Sequence, residues 1–369
     1  MSASAPTITT WTVRPSPGLE AVLFVGILSG DVLQSEIYSA ERDEVWPQLS
    51  ANVRSAIERL DQGMRVGLKK LTGPVMAHML SAGGDSNLAA VVAGANDPER
   101  LLEPNLRLAP GWDRGDTRAI FESMPHLASA LEGLRVFGFE DWYDTRFRPD
   151  VEAAAHAMQD RLKDHDIIPL QSRLLGRVLS PVIEINPTYF SKPYGISVYG
   201  QRFLAHYEND AETQLRIAAH EIFHPPFQRN DQALVAGLAD LRADPWMCSI
   251  VENHDPAYGY NSFWGIVDED STQALDQIVS EQLGVARDPG DRWRKADDGM
   301  HLLAAALYHA MAEDGFGDSG GRYADWLKAA LDRGMLTPDE VRRRAAAFVG
   351  ESAVRKWHDI ASVGGPAPD

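Results

Sequence analysis

The stretch "AAHEIFHPPF", residues 218–227, places two histidines four positions apart on what reads as a helix. His220 and His224 would then lie on one face of that helix, one turn apart, and could present two imidazoles to one ion. Glu221 points about 100° further round the helix, so it is placed to reach a water beside the ion rather than the ion itself. The pattern predicts a metal centre with a general base next to it. The alternative is a pair of partly buried helix histidines with ordinary hydrogen bonds.

Two prolines follow the second histidine directly. Pro225 disfavours the helical conformation at His224 and removes a backbone donor, so the helix is predicted to end or kink there. The two histidines need only the last helical turn, so such a stop does not harm their geometry. It does mean that a third metal ligand must return from elsewhere in the chain.

The motif at 220–224, the strand-like sequence before it and an acidic residue after it make residues 180–284 similar to the zincin metallopeptidases. The resemblance implies zinc as the metal, His220 and His224 as its ligands, and Glu221 as the general base. It also implies an edge strand that pairs with an extended substrate. The candidate is "YGISVYGQRF", residues 194–203, and the alternative is an ordinary core strand.

The third ligand is predicted by comparing zincin classes. The metzincin pattern is excluded because Phe227 and Asn230 stand where that class has a glycine and a third histidine. A gluzincin-like arrangement instead favours Glu269, at the start of a helix predicted from about residue 268. Asp268 and Asp240 are the rival ligands.

One position departs from the gluzincin pattern. Gln273 stands where some gluzincins carry an aspartate that orients a metal-bound histidine. Metal-bound histidines usually donate their second ring nitrogen to such a partner. We therefore expect a partner for His220 or His224 elsewhere in the chain.

An enzyme of this kind usually has a tyrosine or histidine that stabilises the oxyanion. His301 and Tyr308 lie seven positions apart on a predicted helix, and Tyr258 and Tyr260 lie in the loop before Glu269. The sequence does not choose among these four residues, and each is also compatible with a structural role.

The remaining patterns predict a predominantly helical α+β protein. Residues 150–165 show helical apolar spacing, and 19–30 form a buried helix or strand. Segments 176–187 and 194–207 read as strands. Further helices are predicted at about 231–242, 268–283, 298–313, 321–333 and 338–348. We expect an N-terminal, mostly helical lobe at 1–170 and a zincin-like metallohydrolase domain at 171–369, with a small sheet next to the motif helix.

Composition limits the partners and the compartment. The net charge of -18, from 53 acidic and 35 basic residues, argues against binding to nucleic acid. The single cysteine, Cys248, excludes an internal disulfide. No apolar run is long enough for a membrane span, and "MSASAPTITTWTV", residues 1–13, is not a signal peptide. We expect a soluble, cytoplasmic protein, or a periplasmic or secreted one if a leader was removed.

The expected function is that of a zinc-dependent hydrolase, most consistent with a metallopeptidase acting on peptide or protein substrates. Two alternatives stay open. One is a zincin-like binding or scaffold protein with little turnover, although such a protein could lose Glu221 freely. The other is a metal-dependent amidase acting on a non-peptide substrate. The oligomeric state and the cleavage preference are not predicted.

Overall fold

The computed structural model describes residues 9–109 and 113–363, which form many helices and one small sheet. The predicted class, predominantly helical α+β, is confirmed. None of the described helices combines the length and the apolar character needed to cross a bilayer. Residues 1–8, on which the leader prediction partly rests, lie outside the described residues.

The described residues form two compact units. The sheet unit contains 10–109, 113–164 and 182–217, and the helical unit contains Thr9, 165–181 and 218–363. The expected boundary at residue 170 falls inside a segment of the helical unit. The predicted strands group with the N-terminal residues and not with the motif. The units therefore do not follow a single break in the chain.

The sheet is mixed and has four strands. These are β1 (Thr10–Val13), β2 (Val182–Thr188), β3 (Ile196–Val198) and β4 (Arg202–His206). Their order is β1-β2-β4-β3, with β1 and β4 parallel to β2 and β3 antiparallel to β4. The strands between 182 and 206 were predicted. Strand β1 was not, because its four residues stand before a long helical region.

Side chains cover groups on both edges of the sheet. At β3, Nδ1 of His78 lies 3.2 Å from the carbonyl oxygen of Ser197, and the N–H of Tyr199 donates to Ser81 Oγ. At β1, the Gln159 amide accepts from the N–H of Val13 and donates to the carbonyl of Trp11, at 2.9 and 2.8 Å. Part of each edge is therefore already hydrogen-bonded.

The sheet unit holds a large apolar core around its first helix. That helix, Pro17–Ser29, is buried from Gly18 onward because its sequence is apolar on all sides. After this helix, α1 (Pro17–Ser29), the unit contains α2 (Val32–Ile37), α3 (Ser39–Val45), α4 (Ala51–Asp61), α5 (Thr72–Ser81), α6 (Leu88–Asn96), α7 (Pro98–Leu101), α8 (Glu103–Leu106), α9 (Arg114–Phe121), α10 (Met124–Phe137), α11 (Phe139–Arg146) and α12 (Arg148–Leu162).

One acid lies inside this core. Glu20 on α1 is fully buried and accepts hydrogen bonds from the Tyr143 hydroxyl and from the N–H groups of Tyr189 and Phe190. Burial raises the pKa of Glu20 to about 7, although these three hydrogen bonds oppose the rise.

The helical unit contains the motif and the helices after it. They are α13 (Ile168–Leu175), the last residues of α14 (Ala211–Glu221), α15 (Gln232–Gly237), α16 (Ala239–Ala243), α17 (Pro245–Asn253), α18 (Phe263–Gln282), α19 (Pro289–Lys295), α20 (Leu302–Glu313), α21 (Phe316–Ser319), α22 (Tyr323–Asp332), α23 (Pro338–Val349) and α24 (Glu351–Val363). The predicted helix at 231–242 is two short helices, and the one predicted from 268 begins at Phe263.

Helix α18 is the central element of the helical unit. Ser262 caps its N-terminus by accepting from the N–H of Gly265 at 3.1 Å. Every residue of α18 from Ile266 to Ser280 is buried, and the helix packs against α20, α17 and α13. Acidic and amide side chains on this helix therefore need partners inside the protein.

Candidate metal centre

The motif straddles the end of α14. The helix ends at Glu221, and the N–H of Phe223 then bonds to the carbonyl of His220 at 3.0 Å, a tighter turn than an α-helical one. The helix ends three residues before His224, earlier than the prolines predicted. His224 is held by the turn that follows the helix.

The side chains of His220, His224 and Glu269 converge, although His224 lies beyond the end of the helix. The Nε2 atoms of His220 and His224 lie 3.2 Å apart. Glu269 Oε1 is 3.5 Å from Nε2 of His220, and Oε2 is 3.6 Å from Nε2 of His224. Together they form a group that could hold a metal ion.

These distances match a tetrahedral ion. Zinc binds histidine nitrogen and carboxylate oxygen at about 2.0–2.2 Å, so two ligand atoms of a tetrahedron lie about 3.3–3.6 Å apart. The two Nε2 atoms, 3.2 Å apart, lie close to that range, and each faces a different oxygen of the Glu269 carboxylate, at 3.5 and 3.6 Å. The donor set, two imidazoles and one carboxylate, is also one that catalytic zinc sites use.

Asp276 orients the first histidine. Its Oδ2 lies 2.7 Å from Nδ1 of His220, which leaves Nε2 to face the centre of the group. Arg292 holds the same carboxylate with two hydrogen bonds, of 2.5 and 2.9 Å. The sequence predicts a partner of this kind but does not identify Asp276 as that partner.

The second histidine has weaker support. Thr272 Oγ1 lies 3.4 Å from Nδ1 of His224, and Asp268 Oδ2 lies 4.0 Å from the same nitrogen. Asp268 itself pairs with Arg229 at 2.6 Å. The rival ligand Asp268 therefore faces the ring nitrogen of His224 that points away from the group.

Glu269 has two neutral neighbours. The Gln273 amide donates to its Oε1 at 3.0 Å, and the Tyr260 hydroxyl also hydrogen-bonds to Glu269. The amide at position 273 thus orients the carboxylate, whereas an aspartate there would have been expected to orient a histidine.

These contacts come from one stripe of α18. Glu269, Thr272, Gln273 and Asp276 are spaced i, i+3, i+4 and i+7, so they share a helix face. The i, i+3, i+4 and i+7 spacing of these polar residues is a sequence signal that could have identified Asp276.

The buried acidic side chains of α18 differ in whether a basic side chain pairs with them. Asp268 pairs with Arg229, Asp270 with His301 and Asp276 with Arg292. Within the described part of the chain, Glu269 makes no ion pair with a lysine or arginine, and its partners among the basic residues are the imidazoles of His220 and His224. Since Glu221 is also buried beside His220, a divalent cation would compensate the local charge.

The pKa values of His220 and Glu269 also reflect the negative charge around this group. Burial alone would lower the pKa of His220, but the charge of Glu269 and the hydrogen bond to Asp276 outweigh it and raise that pKa well above its ordinary value. Burial likewise opposes ionisation of Glu269, yet the charges of His220 and His224 hold its pKa far below the ordinary range. A potential that retains a proton on imidazole also favours a bound cation.

The four oxyanion candidates are separated by the structure. Tyr260 contacts Glu269, and burial and the charges of Glu269 and Glu221 raise its pKa. His301 is fully buried with both ring nitrogens held, by Asp270 and Asp297 at 2.6 and 2.9 Å. Of these two candidates, Tyr260 lies beside a member of the group, whereas both ring nitrogens of His301 are bonded to other acids.

The two other candidates lie beside different acids. The Tyr308 hydroxyl donates to Glu281, twelve residues and about 18 Å along α18 from Glu269. Burial and the charges of Asp297, Asp255 and Asp298 raise the pKa of Tyr258. Asp240, the remaining ligand rival, is exposed on α16 and is not part of the group.

Comparison with protein-family models found no match, and comparisons with curated proteins and with solved structures each found no significant match. The function of this centre is therefore argued from its residues.

Proposed function

We propose that the chain is a zinc-dependent hydrolase that cleaves peptide bonds. The observation that carries the proposal is the group formed by His220, His224 and Glu269, in which the two Nε2 atoms lie 3.2 Å apart and each faces one oxygen of the buried carboxylate, at 3.5 and 3.6 Å. A pair of structural histidines would not need a buried glutamate facing both free nitrogens.

Zinc suits this donor set better than the other common divalent ions. Calcium and magnesium prefer six or more oxygen ligands, whereas two imidazoles with one carboxylate favour zinc. When bound by three protein ligands, zinc lowers the pKa of water toward neutrality and polarises a carbonyl group.

The general base in this scheme is Glu221. Its carboxylate takes a proton from water as the water oxygen attacks the carbonyl carbon of the substrate. The same carboxyl group then gives the proton to the leaving nitrogen as the carbon–nitrogen bond breaks. Glu221 is buried and its charge raises the pKa of both His220 and Tyr260, which supports a position close to the proposed ion and to the proposed oxyanion donor.

Tyr260 is the proposed oxyanion donor. Its hydroxyl already donates to Glu269, and the raised pKa keeps it protonated across the neutral range. A neutral phenol can donate to the oxygen that gains negative charge during attack. Asp276 and Gln273 would hold His220 and Glu269 in the orientation that the group requires.

A metal-dependent amidase on a non-peptide substrate is the second candidate. The edge strand β3, which the zincin resemblance assigns to substrate pairing, has its Ser197 carbonyl and Tyr199 N–H already bonded. An extended peptide would find fewer open backbone groups there than the resemblance implies. A small amide would not need a strand.

The decisive experiment compares substrates with and without a chelator. The zinc-loaded chain is assayed on a diverse peptide library and on a panel of small N-acyl amides, with Glu221→Gln as the inactive reference and Asp240→Asn as a matched surface control. Chelator-sensitive peptide cleavage that Glu221→Gln lacks supports a peptidase, and cleavage of the amides alone supports the second candidate. Stoichiometric zinc with no turnover on either set would contradict both and favour a binding protein.

A further inference from the structure

A short helix outside the 218–227 motif contacts the side chains that hold two proposed ligands, His220 and Glu269. Helix α19, Pro289–Lys295, places the consecutive residues Arg292 and Trp293 against the polar stripe of α18. Neither residue belongs to the group that could hold an ion. Each reaches a different member of that group through one intermediate side chain.

The connection from α19 to His220 runs through an ion pair. Arg292 donates to both oxygens of Asp276 and also to Gln277, and Asp276 in turn contacts His220. Two parallel bonds fix the carboxylate plane, which one bond from a lysine could not do. The orientation of His220 therefore depends on where Arg292 lies.

The connection from α19 to Glu269 consists of hydrogen bonds between neutral side chains. The indole N–H of Trp293 donates to Gln273 Oε1 at 3.0 Å, and the amide of Gln273 donates to Glu269 Oε1 at 3.0 Å. Trp293 is fully buried, so its N–H has no water to bond with. Since its oxygen is occupied by the indole, Gln273 must present its nitrogen to the carboxylate.

The chain after α19 is held in an unusual conformation. Asp297 and Asp298 have φ values of 46° and 60°, and Gly299 has a φ of 71°. Non-glycine residues adopt such values at a cost, and neighbouring contacts must maintain them. Asp297 contacts His301, whose other nitrogen contacts Asp270, the residue after Glu269.

We propose that α19 is a positioning element of the metal centre, acting on His220 through Arg292 and Asp276 and on Glu269 through Trp293 and Gln273. The inference rests on the proposed zinc site and extends it to residues with no contact to the ion. Its consequence is that ligand geometry, and with it metal affinity, depends on contacts two residues removed from the metal.

Ordinary core packing is the competing explanation. If α19 only filled space in the core, two apolar residues at positions 292 and 293 would be sufficient. Packing does not explain why Arg292 and Trp293 each bond to a side chain that contacts a different proposed ligand. The same helix provides a comparison. Among the described residues Arg294 pairs only with Asp291, at 2.8 Å, and its side chain is 44% exposed, so it shares the helix with Arg292 but contacts neither Asp276 nor Gln273.

The test measures metal binding in the full chain. The variants are Arg292→Met, Arg292→Lys and Trp293→Phe, with Arg294→Met and Trp326→Phe as matched controls, since the Trp326 indole bonds only to Asp314 among the described residues. Zinc affinity is measured by competition with a chelator. The absorption spectrum of the cobalt-substituted chain reports ligand geometry independently of fold stability.

We expect Arg292→Met to weaken zinc binding about 10- to 100-fold, with Arg292→Lys in between and a shifted cobalt spectrum in both. Trp293→Phe should weaken binding about 3- to 10-fold, because one hydrogen bond is lost. Both controls should stay within about twofold of wild type, and their spectra should not move.

Two outcomes would overturn the inference. If the three test variants bind zinc as the controls do, with unshifted spectra, α19 is packing only. If the wild type and the controls also fail to bind zinc, the proposed site falls and the inference falls with it. Should Arg292→Met not fold, the conservative variants Arg292→Lys and Trp293→Phe decide.

Discussion

Nδ1 of His220 lies 2.7 Å from Oδ2 of Asp276, a residue on a different helix and 56 positions further along the chain. Because a carboxylate can only accept, Nδ1 carries a hydrogen, and Nε2, which faces Glu269 and His224, is the nitrogen that would bind a metal. This contact determines which imidazole nitrogen is available to a metal.

Replacing Asp276 by asparagine should therefore weaken zinc binding. The amide cannot balance the charge of Arg292 and can turn its N–H₂ group toward His220. We expect a loss of about 10- to 100-fold in zinc affinity, the usual effect of removing such a partner. Chelator competition measures it, with the exposed Asp291→Asn on α19 as the control. Equal affinity in the two variants would show that Asp276 does not orient the ligand.

The third ligand is tested by three alanine variants. Glu269→Ala should lose stoichiometric zinc, because it removes one of three donors. Asp268→Ala removes only a neighbour of His224 and should reduce affinity by less than about tenfold. Asp240→Ala is exposed and should behave as wild type. Isothermal titration with zinc gives the three values. Tight binding by Glu269→Ala, with loss in either of the others, would move the ligand assignment.

Glu221→Gln should separate binding from turnover. The change is nearly isosteric and the residue is not a proposed ligand, so zinc content and the unfolding midpoint should match wild type. The rate should fall by about 10² to 10⁴, the usual size of a general-base contribution. The substrate is whichever member of the peptide or amide panel the wild type cleaves. Full activity in this variant would falsify the proposed mechanism.

The oxyanion role is tested by a pair of tyrosines. Tyr260→Phe should lower kcat by about 10²-fold, as expected for removing one oxyanion donor, with a much smaller change in KM. Tyr308→Phe loses a hydroxyl that bonds to the distant Glu281 and should leave kcat unchanged. Steady-state kinetics of the two variants provide the comparison. Similar kcat values would exclude Tyr260 as the donor.

The buried Glu20 predicts how stability depends on pH. Its pKa is about 7 in the fold and 4.5 as the ordinary value, so the folded chain keeps a proton that the unfolded chain releases between these values. The stabilisation is complete below about pH 4.5 and declines as pH rises through about 7, by about 3 kcal/mol in total from this group. Urea unfolding at pH 5 and pH 8 should show a smaller decline for Glu20→Gln than for wild type. A decline of the same size in both would assign the effect to other groups.

Local patterns in the sequence predicted the helical class, strands within 176–187 and 194–207, and a buried element at 19–30 without deciding between helix and strand. They also brought forward Glu269, which the structure places facing His220 and His224, although its role as a ligand remains a prediction. These predictions succeeded where they were tested because apolar spacing and turn residues act over a few neighbours. Strand β1 was missed because four residues carry too little pattern.

The supporting residues could not be predicted from local patterns. Arg292 and Trp293 matter through their contacts with Asp276 and Gln273, 16 and 20 positions away. Nothing in a charged stretch such as "DRWRK" distinguishes a buried arginine from an exposed one. The predicted end of α14 lies too late in the chain for a similar reason. A proline marks a position that the helix cannot pass, but the helix can end before that position is reached.

The amide of Gln159 fills the place of a neighbouring strand along β1, accepting from Val13 and donating to Trp11. An uncovered strand edge is a template for pairing with another molecule of the same chain. Because Gln159 already bonds to these two groups, a strand of another molecule would have to displace this side chain before it could pair with β1 at Trp11 and Val13.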